Sequence, residues 1–294
     1  TTDHIFAGNF ALPGETADGF DKVAAYGVEG NLYRWMIDTT NDGVANLQVN
    51  DPAGIIGIPV AGNFAPLISG DQVGLFTGTT WHLDTTGNYN VDFALASDLR
   101  GYPIVGDFDG DGNVDLATWQ DDTFYFDLTG GVPQGWDGLV DATIGFDFIG
   151  ARLRPVAADM DGDGITDIGL WVPDRAGMPD DVGEWYFLIS NDFDGTLRSD
   201  GTVVTLDHAF SPIPLGHDVY DRFGSEFAVP LVGNFDPPVG LVLEEPAEPR
   251  PSDLVGWAAN GQWWVGESNG VDAFTNQKAT KWSTSVTWVD VMTG

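Results

Sequence analysis

The chain has 294 residues, with 45 acidic against 11 basic side chains and a formal net charge of -34. Such a negative field repels nucleic-acid phosphates and anionic lipid headgroups, so we expect no nucleic-acid binding. No apolar run approaches the roughly 18 residues of a membrane span, so we expect no membrane insertion. The absence of cysteine excludes disulfides, a thiolate nucleophile and cysteine-ligated zinc, and a hydrophobic content of 43% indicates a folded chain.

A short phrase recurs five times along the chain. It reads HIFAGNF at 4–10, IPVAGNF at 58–64, YPIVGDF at 102–108, RPVAADM at 154–160 and VPLVGNF at 229–235. After a loop, each copy is followed by a second phrase (KVAAYG, QVGLFTG, DLATWQ, DIGLWV, DLVGWAANG) and then by an aromatic third phrase (NLYRWMID, TTWHLD, DTFYFDL, GEWYFLI, GQWWVG). Three phrases that repeat in the same order indicate a repeat architecture.

Each phrase is rich in β-branched and aromatic residues and is bounded by Gly, Asn, Asp or Pro, which is typical of strands joined by turns. A fourth strand can be placed between units, for example at 91–97 or 201–210. The sequence therefore predicts an all-β, five-bladed β-propeller of four-stranded antiparallel blades, forming a single domain over 1–294. The approximate blades are 1–54, 55–101, 102–152, 153–227 and 228–294.

Three stretches interrupt the repeat and are interpreted as loop-like insertions, at 172–184, 211–227 and 236–252. The segment at 281–294 either supplies the outer strand of the last blade or pairs with the first blade to close the circle. The sequence leaves both alternatives open.

Carboxylates crowd the loop of the third repeat, GDFDGDGNVDLATW. Asp107, Asp109, Asp111 and Asp115 occupy positions 1, 3, 5 and 9, with glycine at position 6 and the Asn113 carbonyl at position 7. This spacing of hard oxygen ligands around a sharp bend is typical of calcium. Six like-charge pairs about 5 Å apart cost roughly 1 kcal/mol each even in water, so the empty loop would be repelled open.

A second copy, DMDGDGITD, repeats the same frame in the fourth repeat. It places the carboxylates and the position 7 carbonyl at Asp159, Asp161, Asp163, Ile165 and Asp167. The loops of the other three repeats lack these ligands, so we expect two Ca²⁺ sites rather than five. An EF-hand is not expected, because the twelfth positions are Thr and Leu and strands flank both loops.

These two loops resemble the FG-GAP and VCBS-type repeats, through PIVGDFDGDGNVDLATW, PVAADMDGDGITDIGLW and the later GEWYF. The resemblance implies a β-propeller with structural calcium in its hairpin loops, as in the integrin α-subunit head and a calcium-containing fungal propeller lectin. It also implies a secreted or cell-surface protein, often bacterial, that binds glycans or proteins. The seven blades usual in that family are not matched by the five counted here.

Aromatic residues recur at one position per repeat, as Tyr26, Phe76, Trp119, Trp171 and Trp257, and are interpreted as core between blades. The third phrases also contain adjacent aromatic pairs. Neighbouring residues of a strand face opposite ways, so one of each pair points outward or toward a neighbouring blade. The candidates for stacking on a ligand are Trp185, Tyr186, Trp263 and Trp264.

Three function classes follow from these features. The favoured one is a non-catalytic binding or adhesion module for a glycan or a protein, without catalytic residues. A glycoside hydrolase or polysaccharide lyase would use acids at the channel, with Asp174, Asp180, Asp181, Glu184 and Glu226 as candidates. A structural surface component is the third class. The histidines His208 and His217 match no known metal-ligand spacing.

Overall fold

A computed structural model describes residues 4–40, 44–146, 152–160, 164–173, 182–190, 219–222, 224, 226–235, 253–258, 262–268 and 274–279. These residues form twenty strands, in five sets of four that are consecutive along the chain. Every pairing between neighbouring strands of a set is antiparallel, and each set is one sheet. The predicted all-β propeller of four-stranded antiparallel sheets is confirmed.

The sheets are numbered in chain order. Sheet 1 contains β1 (His4–Gly8), β2 (Lys22–Glu29), β3 (Leu32–Ile37) and β4 (Leu47–Asp51). Sheet 2 contains β5 (Ile58–Gly62), β6 (Gln72–Phe76), β7 (Thr80–Leu83) and β8 (Phe93–Ala96). Sheet 3 contains β9 (Tyr102–Gly106), β10 (Asp115–Gln120), β11 (Thr123–Asp127) and β12 (Ala142–Gly145).

The last two sheets follow the same order. Sheet 4 contains β13 (Arg154–Ala158), β14 (Asp167–Val172), β15 (Glu184–Leu188) and β16 (Val219–Arg222). Sheet 5 contains β17 (Val229–Gly233), β18 (Asp253–Ala258), β19 (Gln262–Ser268) and β20 (Phe274–Ala279).

The first strands of the sheets surround a central channel. β1 contacts β5, β5 contacts β9, β9 contacts β13, β13 contacts β17, and β17 contacts β1. All five first strands line one cavity along this axis. We call the side on which these strands begin the upper face of the ring, and the side on which they end the lower face. The fourth strands of sheets 1 to 3 alternate between exposed and partly buried residues, as expected for the outer edge.

Hydrophobic residues fill the space between neighbouring sheets. Five clusters lie between sheets 1 and 2, 2 and 3, 3 and 4, 4 and 5, and 5 and 1. The cluster that joins the last sheet to the first includes Ile5 and Val23 on one side and Leu231 and Val255 on the other. A sheet packed on both faces explains why second strands such as β14 are buried along their whole length.

The recurrent aromatic position belongs to this core, as expected. Tyr26, Phe76 and Trp171 are buried and Trp119 packs against a cluster, whereas the side chain of Trp257 lies outside the described residues. Trp185 and Tyr186 are both fully buried, in the clusters on opposite faces of sheet 4.

Neither Trp185 nor Tyr186 is therefore available to stack on a ligand, because each face of the strand is covered by a neighbouring sheet. Trp264 is partly buried against the cluster between sheets 4 and 5. The side chain of Trp263 lies outside the described residues.

Two strand predictions require correction. The fourth strand of sheet 4 is Val219–Arg222, inside the segment 211–227 that the sequence indicated as an insertion, while 201–210 lies outside the described residues. The fourth strand of sheet 5 is Phe274–Ala279, ahead of the predicted segment 281–294, which also lies outside them. Among the described residues, sheets 1 and 5 each have four strands of their own, and the alternative that 281–294 pairs with the first sheet falls on residues outside the described part of the chain.

Candidate functional site

The acidic loop of sheet 3 connects β9 to β10 on the lower face. Gly106 and Asp115 are register partners, so the two ends of the loop are held together by the strand pairing. Gly110 and Gly112 adopt positive φ angles of 68° and 82°, which bend the backbone sharply between these ends. This is the sharp bend that the DGDG sequence predicts.

Three of the four predicted carboxylates converge. One ligand atom from each of Asp107, Asp109 and Asp115 lies within 4.8 Å of the other two. Asp109 and Asp115 are fully buried, and Asp107 is partly buried. Since these donors are all carboxylate oxygens, the cluster has the chemistry of a site for a hard divalent cation.

Backbone N–H groups orient two of these carboxylates. Asp115 accepts through Oδ2 from the Phe108 N–H at 3.0 Å and through Oδ1 from the Thr129 N–H at 2.8 Å. Asp107 accepts from the Asp111 N–H at 2.9 Å and from the Gly112 N–H at 2.7 Å. The loop backbone therefore fixes the carboxylates before any cation binds.

The fourth carboxylate, Asp111, is held at the edge of the cluster. Its Oδ2 accepts a hydrogen bond from the Thr129 hydroxyl at 2.9 Å. Its Oδ1 accepts from the backbone N–H and the side-chain amide of Asn113, at 2.7 and 2.8 Å. Thr129 thus contacts both Asp111 and Asp115, and joins the acidic loop to the end of the third strand.

Burial and mutual repulsion raise the proton affinity of this cluster. Burial, followed by the charge of Asp109, raises the pKa of Asp115 to about 8. Burial also raises the pKa of Asp107, although hydrogen bonds from Gly112 and Asp111 oppose the shift. Carboxylates that resist ionisation in this way are stabilised in their charged form by a bound cation.

The loop of sheet 4 repeats these contacts where it is described. Asp167 accepts through Oδ2 from the Met160 N–H at 2.7 Å, and through Oδ1 from the N–H and hydroxyl of Ser190 at 2.7 and 3.0 Å. Asp159 accepts from the Gly164 N–H at 3.0 Å, as Asp107 does from Gly112.

The second loop therefore has the backbone frame of the first. Ile165 is buried, while Asp161 and Asp163 lie outside the described residues. The two carboxylates that would complete the second cluster are thus known only from their sequence spacing.

The corresponding loop of sheet 1 contains a cation supplied by the chain itself. Lys22 pairs in register with Gly8, as Asp115 does with Gly106, and its side chain is almost fully buried. The ammonium donates to the Phe20 carbonyl at 2.5 Å, lies 3.4 Å from Asn9 Oδ1, and forms an ion pair with Asp18. A positive charge in this loop is therefore surrounded by oxygen atoms.

A neutral arrangement occupies the same loop of sheet 2. Gln72 stands in the register position of Asp115 and accepts a hydrogen bond from the Ala65 N–H at 2.7 Å. Its amide donates to the Gly70 carbonyl at 2.8 Å. Gln72 therefore closes this loop through hydrogen bonds of a neutral side chain.

Sequence spacing did not identify Lys22, Thr129 or Ser190. Lys22 could have been found from its rarity, since it is one of three lysines in the chain and begins a second phrase. The hydroxyls of Thr129 and Ser190 follow the third strands and meet the acidic loops only through sheet pairing, so no local motif marks them.

A second feature lies on the upper face, where the channel opens into a pocket of about 500 Å³. The Arg154 guanidinium lies 5.2 Å from the centre of the Tyr102 ring, and that of Arg152 lies 5.6 Å from the Phe227 ring. Arg152 also forms an ion pair with Glu226 at 2.9 Å. The described wall of this pocket therefore combines two arginines with exposed and buried aromatic rings.

The two sequence-predicted acids that the structure describes, Glu184 and Glu226, do not converge at the channel. Among the described residues, Glu226 is the only one of these acids that lines the upper pocket. Glu184 is buried and accepts a hydrogen bond from the Tyr220 hydroxyl at 3.1 Å. Asp174, Asp180, Asp181 and the two histidines His208 and His217 lie outside the described residues.

Comparison of the chain with protein-family models and with curated proteins gives no match. Among the described residues there is no helix with the length and hydropathy needed to cross a membrane.

Proposed function

We propose that the chain is a calcium-stabilised, five-bladed β-propeller in which each of the five sheets is one blade, and that it serves as a non-catalytic binding module. The proposal retains the FG-GAP and VCBS-type relationship that the loop sequences indicate. It also retains a secreted or cell-surface location, where calcium is abundant enough to fill weak sites. The bound ligand would be a glycan or a protein.

The observation that carries the calcium proposal is the comparison between equivalent loops. In sheet 1, the buried ammonium of Lys22 supplies a positive charge among the oxygen atoms of the loop. Sheet 3 has no basic side chain in its loop, yet it brings Asp107, Asp109 and Asp115 together. Where this loop gathers carboxylates without a basic side chain, as in sheet 3, a cation from solution would supply the balancing charge.

The donor set favours calcium among the common cations. Carboxylate oxygens on a short glycine-containing loop suit the six to eight ligands of Ca²⁺, and bound magnesium retains several waters that two fully buried carboxylates would not accommodate. Asp107, Asp109 and Asp115 would hold the ion, with Asp111 at the edge and the Asn113 carbonyl as a further donor. In sheet 4, Asp159, Asp161, Asp163 and Asp167 would do the same, with the Ile165 carbonyl.

A binding role is supported by the pocket on the upper face. Its volume of about 500 Å³ falls within the range of small-ligand sites, and its walls offer both aromatic rings and charged groups. Hydrolysis of a glycoside requires two carboxyl groups roughly 5 to 9.5 Å apart across the scissile bond. The described lining of this pocket contains one carboxylate, Glu226, so the structure favours binding over catalysis.

Calorimetric titration of the calcium-depleted protein with CaCl₂ tests the cation proposal. Two sites are expected, and Asp109→Ala is expected to leave one. Glu15→Ala provides the control, because Glu15 is an exposed carboxylate in the equivalent loop of sheet 1 and should leave both sites intact. A titration of the parent protein that shows no heat of calcium binding would contradict the proposal. An Asp109→Ala variant with the same number of calcium sites as the parent would contradict it as well.

The binding role is tested separately, on a glycan array probed with the calcium-loaded protein. Retention of specific glycans is expected. An array without retained glycans, together with no protein captured by the immobilised chain, would leave the propeller as a structural component.

A further inference from the structure

The two mouths of the channel carry opposite charges. The pocket on the lower face is lined by Asp21, Asp71, Asp107 and Asp159, and its described lining contains no lysine or arginine. The pocket on the upper face is lined instead by Arg152 and Arg154. In a chain with only 11 basic residues, two arginines at one mouth mark a local site for negative charge.

The two guanidinium groups are held in place by aromatic rings. The Arg154 guanidinium lies over the Tyr102 ring, interacts with the Tyr102 hydroxyl and donates to the Leu153 carbonyl at 3.0 Å. These contacts orient the planar guanidinium and leave N–H donors of its fork for other acceptors. Among the described residues no carboxylate forms an ion pair with Arg154, so the strongest acceptor for this edge would come from a ligand.

The other wall of the pocket limits the charge of such a ligand. Arg152 is already paired with Glu226, and the Glu226 carboxylate would repel a second negative charge placed beside it. A group that brings a single negative charge to Arg154 is therefore preferred to a phosphate dianion, and any further charge of the ligand would lie outside the pocket. A carboxylate fits this requirement, because its two oxygens match the fork of a guanidinium.

The aromatic side of the pocket favours a ligand with a flat apolar face. Phe227 is 70% exposed, an unusual exposure for a phenyl ring in a fold that buries most of its aromatic residues. It lies in the pocket wall with Tyr102 and Arg152. An exposed ring beside arginines offers a surface on which a sugar ring or an aromatic ring can stack.

We infer that the upper mouth of the channel binds a carboxylate carried on a compact ring, with Arg154 binding the carboxylate and Phe227 stacking on the ring. This inference rests on the proposed binding function and names its ligand class. Two sources share this chemistry, namely a uronate residue of an acidic glycan and a free aromatic acid. The net charge of the protein opposes either anion at long range, and salt screens that repulsion beyond roughly 8 Å at physiological ionic strength.

The test uses the full chain in excess calcium and measures binding of trigalacturonate, of benzoate and of the neutral trisaccharide galactotriose by calorimetry. Trigalacturonate is expected to bind and galactotriose is not. Arg154→Gln is expected to weaken binding about tenfold or more, as for loss of a hydrogen bond between charged groups. Phe227→Ala is expected to weaken it as well.

Arg34→Gln is the matched control, because Arg34 is a partly exposed arginine on β3 outside the pocket, and this variant should bind as the parent does. Thermal unfolding of each variant verifies that it is folded. If benzoate binds with the same dependence on Arg154 and trigalacturonate does not, the inference stands with a free aromatic acid as the source.

Four results would overturn the inference. Three of them are no binding of either carboxylate, carboxylate binding that Arg154→Gln leaves unchanged, and inorganic phosphate competing as well as the carboxylates. A neutral glycan that binds the parent and Arg154→Gln equally would also overturn it. That last result would leave the proposed binding function intact, so failure of the inference can be distinguished from failure of the proposed function.

Discussion

Asp21 and Asn234 join the first and last sheets of the ring through a reciprocal pair of hydrogen bonds on the lower face. The Asn234 N–H donates to Asp21 Oδ2, and the Asp21 N–H donates to the Asn234 carbonyl, both at 2.7 Å. Asn9 and Asp71 make the same exchange between sheets 1 and 2, at 2.8 and 2.9 Å. The contact that closes the ring is thus one copy of a repeated contact between neighbouring sheets.

Asp21→Ala is expected to lower the free energy of unfolding by roughly 1 to 3 kcal/mol, because a partly buried backbone N–H loses its acceptor. Urea unfolding in excess calcium gives the magnitude. Hydrogen exchange should become faster in β1 and β17, whose packing this contact supports. Asp71→Ala is the matched comparison and should speed exchange in β1 and β5 instead. Equal protection of β17 in both variants would show that Asp21 does not secure the closure.

The first strand of sheet 3 ends at Gly106, and close packing against sheet 4 explains why this residue is a glycine. A Cβ added to Gly106 would lie 2.5 Å from the Thr166 side chain of the next sheet, although the backbone of Gly106 does not require a positive φ. Gly106→Ala is therefore expected to cost roughly 1 to 3 kcal/mol by overpacking. Gly145→Ala is the control, since nothing lies within 4 Å of the Cβ that it would add.

Chemical denaturation of both glycine variants measures this difference. The second variant Thr166→Gly, combined with Gly106→Ala, should recover part of the loss because it removes the opposing side chain. A Gly106→Ala protein as stable as Gly145→Ala would mean that the sheets move apart at no measurable cost.

The repeated phrases predicted the inner three strands of every sheet, because the described residues of those strands are mostly buried between neighbouring sheets and their composition is constrained by packing. The fourth strands are different. β12 and β16 are short and contain only exposed or partly buried residues, so few of their residues are fixed by contact with a neighbouring sheet. A strand such as Val219–Arg222 therefore carries no phrase that distinguishes it from the loop around it.

The convergence of carboxylates in the acidic loop could be predicted, because Asp107, Asp109 and Asp115 lie within nine consecutive residues. The residues of the upper pocket could not be predicted in this way. Tyr102 begins sheet 3, Arg154 begins sheet 4 and Phe227 lies in the connection between sheets 4 and 5, so only the packing of consecutive sheets brings them to one mouth. Spacing along the chain contains no information about that distance.

The buried ammonium in sheet 1 can be distinguished experimentally from the cation proposed for sheet 3. Lys22→Met removes the positive charge and leaves the Phe20 carbonyl and Asn9 Oδ1 without their donor. A loss of roughly 1 to 3 kcal/mol in unfolding free energy is expected, of the size found for buried polar groups that lose a partner. Because no ion from solution acts in this loop, the loss should be the same with calcium and with chelator.

Asp109→Ala is expected to show the opposite dependence on calcium when its unfolding free energy is measured in the same way. Its destabilisation relative to the parent should be present in calcium and disappear in chelator, where the parent has also lost its ion. If the loss of unfolding free energy in Lys22→Met changes with calcium, the loops of sheets 1 and 3 are not equivalent.

Asp127 gives the fold a pH dependence that is independent of the proposed cation loops. Its carboxylate is fully buried and accepts from the N–H groups of Asp137 and Gly138 at 3.2 and 2.8 Å. Burial raises the pKa of Asp127 from 3.8 to about 7, despite these hydrogen bonds. The folded protein therefore binds a proton more tightly than the unfolded chain does, and the stability from this group is lost as pH rises toward 7.

Asp127→Asn removes this titration. Relative to the parent, the variant is expected to be less stable at pH 5, where Asp127 is protonated in the folded protein, and to lose that deficit between pH 5 and pH 8. Urea unfolding of both proteins at several pH values in excess calcium measures the difference, in which the many other acidic groups cancel. Asp98→Asn, at an acidic residue whose side chain is exposed, should follow the parent at every pH. A constant gap between Asp127→Asn and the parent across this range would show that Asp127 is already ionised at pH 5.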